Sequence, residues 1–218
     1  MVTLSRSDAG RRLALGLAAI VKEPPVVIAL SLGGVRVANE IARAFGAPID
    51  VVAGLRLEVP GRCHSTFGAV ADGSAVILPE RVQTLQLPED YVDSLVEITR
   101  REAERTGRGW RNGAPEVSIE GRLVILADDG MSDGLLVSAT TRALREHGAR
   151  RIVFAAPAVS GELAAVIDRA CDDHLLLFPP APAVETLVCD ARFEQTTRAD
   201  VATMIRQSRA DFAVPVST

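Results

Sequence analysis

A chain of 218 residues, 48% of them hydrophobic, can bury a large core with no disulfide or metal staple. Its 24 basic and 28 acidic residues leave a formal net charge of -4, and aromatics make up only 4%. Neither the field nor the stacking platforms of a nucleic-acid binder are therefore present.

Taken in chain order, Arg11-Arg12 followed by LALGLAAIV superficially resembles a signal peptide, but no small-residue cleavage site follows. The run is also too short to span a bilayer. Leu13, Leu17, Ile20 and Val21 share one helical face, with Ser7 and Asp8 as starting residues, which predicts an amphipathic N-terminal helix. VVIAL (26–30) reads as a buried strand, VRVANEIARAF (35–45) as a helix stopped by Gly46-Ala47-Pro48, and IDVVAGL (49–55) as a second strand. Residues 56–66 read as a loop, followed by two short strands near 67–71 and 74–78 turned at Asp72-Gly73.

Pro88 to Arg105 opens with Pro and acids, as a helix N-terminus should, and leads into a polar connection through Gly107, Gly109 and Gly113. Its balanced charges suit a solvated face or a homo-oligomer contact. RLVILA (122–127) and RIVFAAP (151–157) read as strands, 135–147 as a helix, SGELAAVIDRA as a helix begun by Ser160, and DHLLLFP as a last strand before a helix near 199–208. Cys63, Cys171 and Cys189 are scattered, form no CxxC pair, and fit a reducing cytoplasm.

This alternation predicts an α/β fold in one domain over 1–218, a mostly parallel sheet flanked by helices on both faces. Ligand sites in such sheets lie at the carboxyl ends of strands, which singles out loops 31–34, 56–66 and 128–136. In the last of these, Asp128 and Asp129 end a strand, and Gly130 and Gly134 flank a turn into a helix. Glycines let backbone approach a ligand, and the first helical amides attract an anion. Paired carboxylates beside such a site suit ribose hydroxyls, or Mg²⁺ through water. The plainer alternative is that Asp129 caps a helix and Asp128 is a solvated strand end.

VVIALSLGGVRVANEIARAFGAPIDVV, then VPG…GAV, GRLVILADDGMSDGLLVSATTRALREHGARRIVFAAPAVS and finally FEQTT resemble type I phosphoribosyltransferases, in order from about residue 6 to residue 208. They are most similar to a bacterial subgroup of poorly defined substrate. The family transfers ribose 5-phosphate from phosphoribosyl pyrophosphate (PRPP) to a base, with Mg²⁺ on the pyrophosphate. The resemblance implies that Asp128 and Asp129 face the ribose hydroxyls and any metal. It implies that Gly130, Met131, Ser132, Asp133, Gly134, Leu135 and Leu136 wrap the 5′-phosphate. Ser31, Leu32, Gly33 and Gly34 would hold the pyrophosphate with Arg56 nearby, and terminal segments including FEQTT (193–197) would form a small hood.

The chain departs from the family pattern on the phosphate-facing parts. Where the subgroup reads Asp-Asp-Gly-x-Ala-Thr-Gly-Ala-Thr, Asp133 and Leu136 replace the threonines. Leu32 stands where an arginine is usual, Leu57 where a lysine is usual, and His64 where an acid is usual. A carboxylate about 4 Å from a phosphate costs roughly 4 kcal/mol at an effective dielectric of about 20. Each lost hydroxyl bond to a charged group adds about 1.5–3 kcal/mol. The expectation is a family member that binds a phosphorylated ribose or nucleotide-like ligand, with PRPP-dependent transfer weak or lost. The alternatives are a working transferase on a nucleobase, a metal or amine site lined by Asp128, Asp129 and Asp133, and an Asp133 that only caps its helix.

Overall fold

The computed structural model describes residues 4–182 and 196–211. In chain order it contains α1 (Arg6–Ile20), β1 (Val26–Ala29), α2 (Gly34–Phe45), β2 (Ile49–Val51), β3 (Gly54–Glu58), β4 (Thr66–Ala71) and β5 (Ser74–Ile77). These are followed by α3 (Pro79–Leu85), α4 (Glu89–Trp110), β6 (Leu123–Ala127), α5 (Gly134–Glu146) and β7 (Arg151–Ala156). The last elements are α6 (Gly161–Ala170), β8 (Asp173–Leu176) and α7 (Arg198–Asp211).

Five strands form a parallel sheet in the order β2-β1-β6-β7-β8. Alternate side chains of each strand point to opposite faces, so one sheet feeds two cores. Val27, Ala29, Ile125, Ala127, Val153 and Ala155 pack with α1, α2 and α7 residues such as Leu17, Ile41 and Ile205. Val26, Ile28, Val124, Leu126, Ile152 and Phe154 pack with Val137, Leu144, Leu163 and Ile167 of α5 and α6. Burial on both sides explains why these strands read as continuous apolar runs. Helices cover both faces, as the alternation of elements predicts.

β1 lies between β2 and β6, so the chain winds outward in opposite directions from these two central strands. That reversal opens a crevice at their carboxyl ends, where ligands bind in sheets of this class. Residues 31–33 leave β1 there and residues 128–133 leave β6, and the register Ala29↔Ala127 puts both loops level.

Four boundaries differ from the sequence expectation. α1 is capped by Ser5, whose side chain accepts from the Asp8 amide, not by Ser7 or Asp8. The apolar run 49–55 divides at Val52-Ala53, and its end enters the separate antiparallel sheet β3-β4-β5. Residues 56–58 are therefore strand, not loop. α4 continues through Gly107 and Gly109 to Trp110, since glycine costs a helix only about 1 kcal/mol, less than the surrounding contacts return. α3, too short to show periodicity, packs with α4 and the small sheet around Leu57, Phe67, Val70, Leu85 and Val92.

The terminal segments supply α1 and α7. α1 packs on α2, and α7 meets α2, α4 and β2. Of FEQTT, Phe193, Glu194 and Gln195 lie outside the described residues, as does Cys189. Thr196 accepts a hydrogen bond from Arg36 Nε at 3.1 Å, which ties this segment to α2. Among the described residues no helix is long and apolar enough to cross a membrane.

Candidate functional site

Asp128 and Asp129 sit at the end of β6, where the strand ladder stops and side chains can turn into the crevice. Both are buried. Asp128 Oδ1 accepts from Ser31 Oγ at 3.1 Å and Ser132 Oγ at 2.8 Å, and Oδ2 accepts from the Gly130 and Ser132 amides. Burial, and then the charge of Asp129, push the Asp128 carboxyl above its usual range, while the Ser132 and Gly130 bonds oppose this only in part.

Asp129 has a different partner. Arg6, the first residue of α1, donates Nε to Asp129 Oδ2 at 2.9 Å with both side chains almost fully buried. Gly33 closes over this pair. A Cβ there would lie 2.0 Å from Asp129 Oδ2 and 3.1 Å from Arg6 Nε, so the crevice wall requires glycine at 33. Ser31 links the loops further, since its hydroxyl accepts from the Gly34 amide while donating to Asp128. The Leu32 side chain, by contrast, packs against the core on the α2 face.

The loop after Asp129 folds back on its own carboxylates. Gly130 and Ser132 amides donate to Asp128, Met131 N donates to Asp129 Oδ1 at 3.3 Å, and Leu136 N donates to Asp133 Oδ1 at 2.9 Å. Gly130 has φ +90, and a Cβ there would meet the Ala158 carbonyl at 2.4 Å. Such a turn is open only to glycine.

Asp133 has two roles at once. It is the N-cap of α5, and its Oδ2 lies 2.5 Å from the Arg56 guanidinium of β3. The side chain thus holds both a helix-terminal amide and a cation, the two kinds of group a phosphate would use. Leu135 and Leu136 turn into the α5-face core, and Leu136 Cδ2 approaches Gly54 so closely that a Cβ there would be 2.9 Å away. Gly134 meets Val166 in the same way, at 3.0 Å, which fixes α5 against α6. Met131 is exposed at the loop tip.

The structure therefore gathers Ser31, Gly33, Gly34, Asp128, Asp129, Gly130, Ser132, Asp133 and Arg56 at one crevice. It sends the side chains of Leu32, Leu135 and Leu136 into packing. The solvated-strand-end alternative for Asp128 does not hold, because that carboxylate is fully buried. Nor is Asp129 a helix cap, since the cap of α5 is Asp133.

Two Mycobacterium tuberculosis sequences, from strains CDC 1551 / Oshkosh and H37Rv, carry the provisional name of phosphoribosyl transferase and are each 31% identical over 209 residues, 95% of this chain. Over that length the chain is similar to these phosphoribosyl transferases. It spans about half the length, 47%, of these curated relatives. The crystal structure of TT1426 from Thermus thermophilus aligns with a TM-score of 0.78 at 28% identity, over 95% of this chain and 99% of that one. No family model matches the chain.

Within this phosphoribosyltransferase-like crevice the two acids do not fit direct coordination of Mg²⁺. Asp128 accepts four hydrogen bonds and Asp129 Oδ2 carries the Arg6 guanidinium. Among the described residues no cluster of three or more His, Cys, Asp or Glu side chains is arranged to hold a metal ion. Arg6 escaped the sequence reading because it lies 123 positions from Asp129. A cation at a helix start, where the macrodipole disfavours positive charge, was the one local sign that a distant carboxylate required it.

Proposed function

We propose that this crevice binds a phosphorylated ribose or nucleotide-like ligand and that PRPP-dependent transfer is weak or lost. One observation carries the reading: Asp133 occupies the anion position at the start of α5, taking the Leu136 amide and the Arg56 guanidinium for itself. A 5′-phosphate arriving there meets a fixed negative charge and a cation already shared. The buried Asp128-Asp129 pair and the glycine-lined wall at Gly33 support retained ligand binding beside this defect.

The physical contest is between two charged groups for one helix terminus. The resident carboxylate is covalently attached, so it loses no translational freedom on binding, whereas a phosphate ligand must. A ligand whose phosphate lies on the Gly33-Gly34 side avoids Asp133. Leu32 there adds no charge, and the wall lies at the start of α2, where the Gly34 amide is held by Ser31 Oγ and would have to be exchanged for the ligand.

Calorimetry with PRPP, nucleoside monophosphates and Mg²⁺, paired with a pyrophosphate-release assay over a panel of nucleobases, tests the proposal. Measurable binding of a nucleotide with no pyrophosphate release is the expected result. Release at the rate of an ordinary enzyme would establish an active transferase. Absence of binding by every phosphorylated ribose would remove the ligand itself.

A further inference from the structure

The fold uses only part of the circumference of α4, a helix of 22 residues. Val92, Thr99, Ala103 and Gly107 form its buried side, and α4 packs on the β3-β4-β5 sheet and α7. Away from that side Tyr91 is 37% and Ile98 61% exposed, although both are large and apolar. At 3.6 residues per turn, Tyr91, Ser94, Ile98, Arg105 and Gly109 share one outward stripe. Glycine weakens a helix, yet a Cβ at Gly109 would meet nothing within 4 Å, so packing inside this chain does not require it.

The charges of α4 are sorted along its axis. Residues 89–97 hold Glu89, Asp90, Asp93 and Glu97 with no base, and Arg100, Arg101, Arg105 and Arg108 follow beside Glu102 and Glu104. The macrodipole favours such an order only in the first and last turns, and Glu97, Arg100 and Arg101 lie well between them. Glu97 pairs within the helix, 2.8 Å from Arg101 and 3.5 Å from Arg100. Among the described residues Asp90 and Arg108 have no ion-pair partner.

A second copy of the same helix complements this pattern in one orientation. In a parallel pair like charges lie level and repel. In an antiparallel pair about a two-fold axis at the level of Thr99, Asp90 lies level with Arg108 of the second copy, and Glu97 with its Arg101. These four residues fall on one edge of the stripe, and antiparallel pairing sets that edge against itself. The two Ile98 side chains flank the axis. Tyr91 lies level with Gly109 of the second copy to within one residue, and the missing Cβ leaves room for the ring. A partner of a single charge sign would instead be repelled by half of the helix.

We propose that the outer face of α4 is a self-complementary docking surface for a second copy of this chain. The two helices pack antiparallel, with Ile98 at the centre, Tyr91 on either side of it, and Asp90, Glu97, Arg101 and Arg108 along the rim. α4 is about 33 Å long, and one helix face of that length belongs to the small, reversible class of interfaces. Association is therefore concentration-dependent and micromolar. No residue of the Asp128-Asp129 crevice takes part, so the pairing holds whether or not that crevice binds a ligand.

Sedimentation equilibrium on the full chain, from about 1 µM to about 300 µM, reads the monomer–dimer balance. The parent chain should dimerise within that range. Ile98→Glu should weaken the dimer at least about tenfold. Gly109→Leu should do the same without lowering the unfolding midpoint of the dilute monomer, because the new side chain starts in open space. Asp90→Arg with Glu97→Arg in one protein, and Arg101→Glu with Arg108→Glu in another, should each be monomeric. Mixing the two should restore a dimer with one chain of each. If Ile98→Glu does not fold, Gly109→Leu and the mixture still decide. A parent chain monomeric at about 300 µM, a dimer indifferent to both Ile98→Glu and Gly109→Leu, or folded charge-reversed chains that stay apart on mixing would each overturn the assignment.

Discussion

Replacing Asp133 separates its two roles. The N-cap bond to Leu136 is worth about 1 kcal/mol, and the Arg56 pair, with side chains 50% and 32% exposed, about 0.2–1 kcal/mol. Asp133→Ala should therefore cost about 1–2 kcal/mol in urea unfolding. Asp133→Asn and Asp133→Thr keep a capping oxygen and should cost less than about 1 kcal/mol. Binding should change in the opposite direction. A carboxylate about 4 Å from a phosphate opposes it by roughly 4 kcal/mol at an effective dielectric of about 20. Screening at this half-exposed loop leaves a smaller share, about one to two orders of magnitude in affinity.

Asp133→Thr should accordingly bind PRPP with Mg²⁺ more tightly by calorimetry, and Arg56→Ala should cancel most of the gain, because the freed guanidinium supplies part of it. Leu136→Thr should add little, since the Leu136 side chain packs toward Gly54 instead of lining the loop. A folded Asp133→Thr protein with unchanged PRPP affinity would show that this carboxylate does not exclude the phosphate.

Arg6→Met strands a buried Asp129 carboxylate and should cost about 3–5 kcal/mol in chemical denaturation, whereas pairing it with Asp129→Leu should recover much of the loss. Asp128, raised by burial and by Asp129, favours its protonated form when folded. Its contribution is complete below the ordinary aspartate value of 3.8 and is lost as pH rises through the raised folded value. Stability measured against pH should therefore fall less steeply above about pH 4 in Asp128→Asn than in the parent chain, and identical slopes would contradict this. Burial pushes the Cys171 thiol up to about 12, so iodoacetamide at pH 8 should label exposed Cys63 well before Cys171 in peptide mass mapping.

Much of the fold was legible because its strands are buried on both faces and its helices carry their stops in plain view. VVIAL, RLVILA and RIVFAA could be nothing but interior strands once helices separated them. Gly46 sits in the left-handed conformation at the end of α2, and Ser160 caps α6 through Leu163, both at expected positions. What stayed hidden depends on tertiary partners. The division of 49–55 between two sheets leaves no mark on hydrophobic period, and α4 passes through two glycines because contacts outweigh propensity.

The candidate site shows the same limit at finer scale. Asp128, Asp129 and the loop glycines were visible as a spacing, and Asp133 was visible as an intrusion into it. Which groups face the ligand was not. Sequence placed Leu135 and Leu136 in the cradle because they occupy cradle positions, yet a leucine at a helix start turns to whichever neighbour offers apolar contact, here Gly54 and the α5-face core. The backbone amides then remain at the loop while the side chains leave it.

Two ion pairs, Arg6 with Asp129 and Arg56 with Asp133, close the crevice on itself. A crevice that binds an anionic, hydroxyl-rich ligand must hold carboxylates and guanidiniums close together, and such groups cannot stay buried or half-buried without partners. On the proposed reading, an aspartate in this loop makes the ligand's anion unwelcome, and the nearest partners are then the site's own opposite charges. Asp133 supplies the missing anion to Arg56 and to the first turn of α5, and Arg6 neutralises the carboxylate left facing Gly33. A threonine at position 133 would leave Arg56 and the Leu136 amide again in need of an anion.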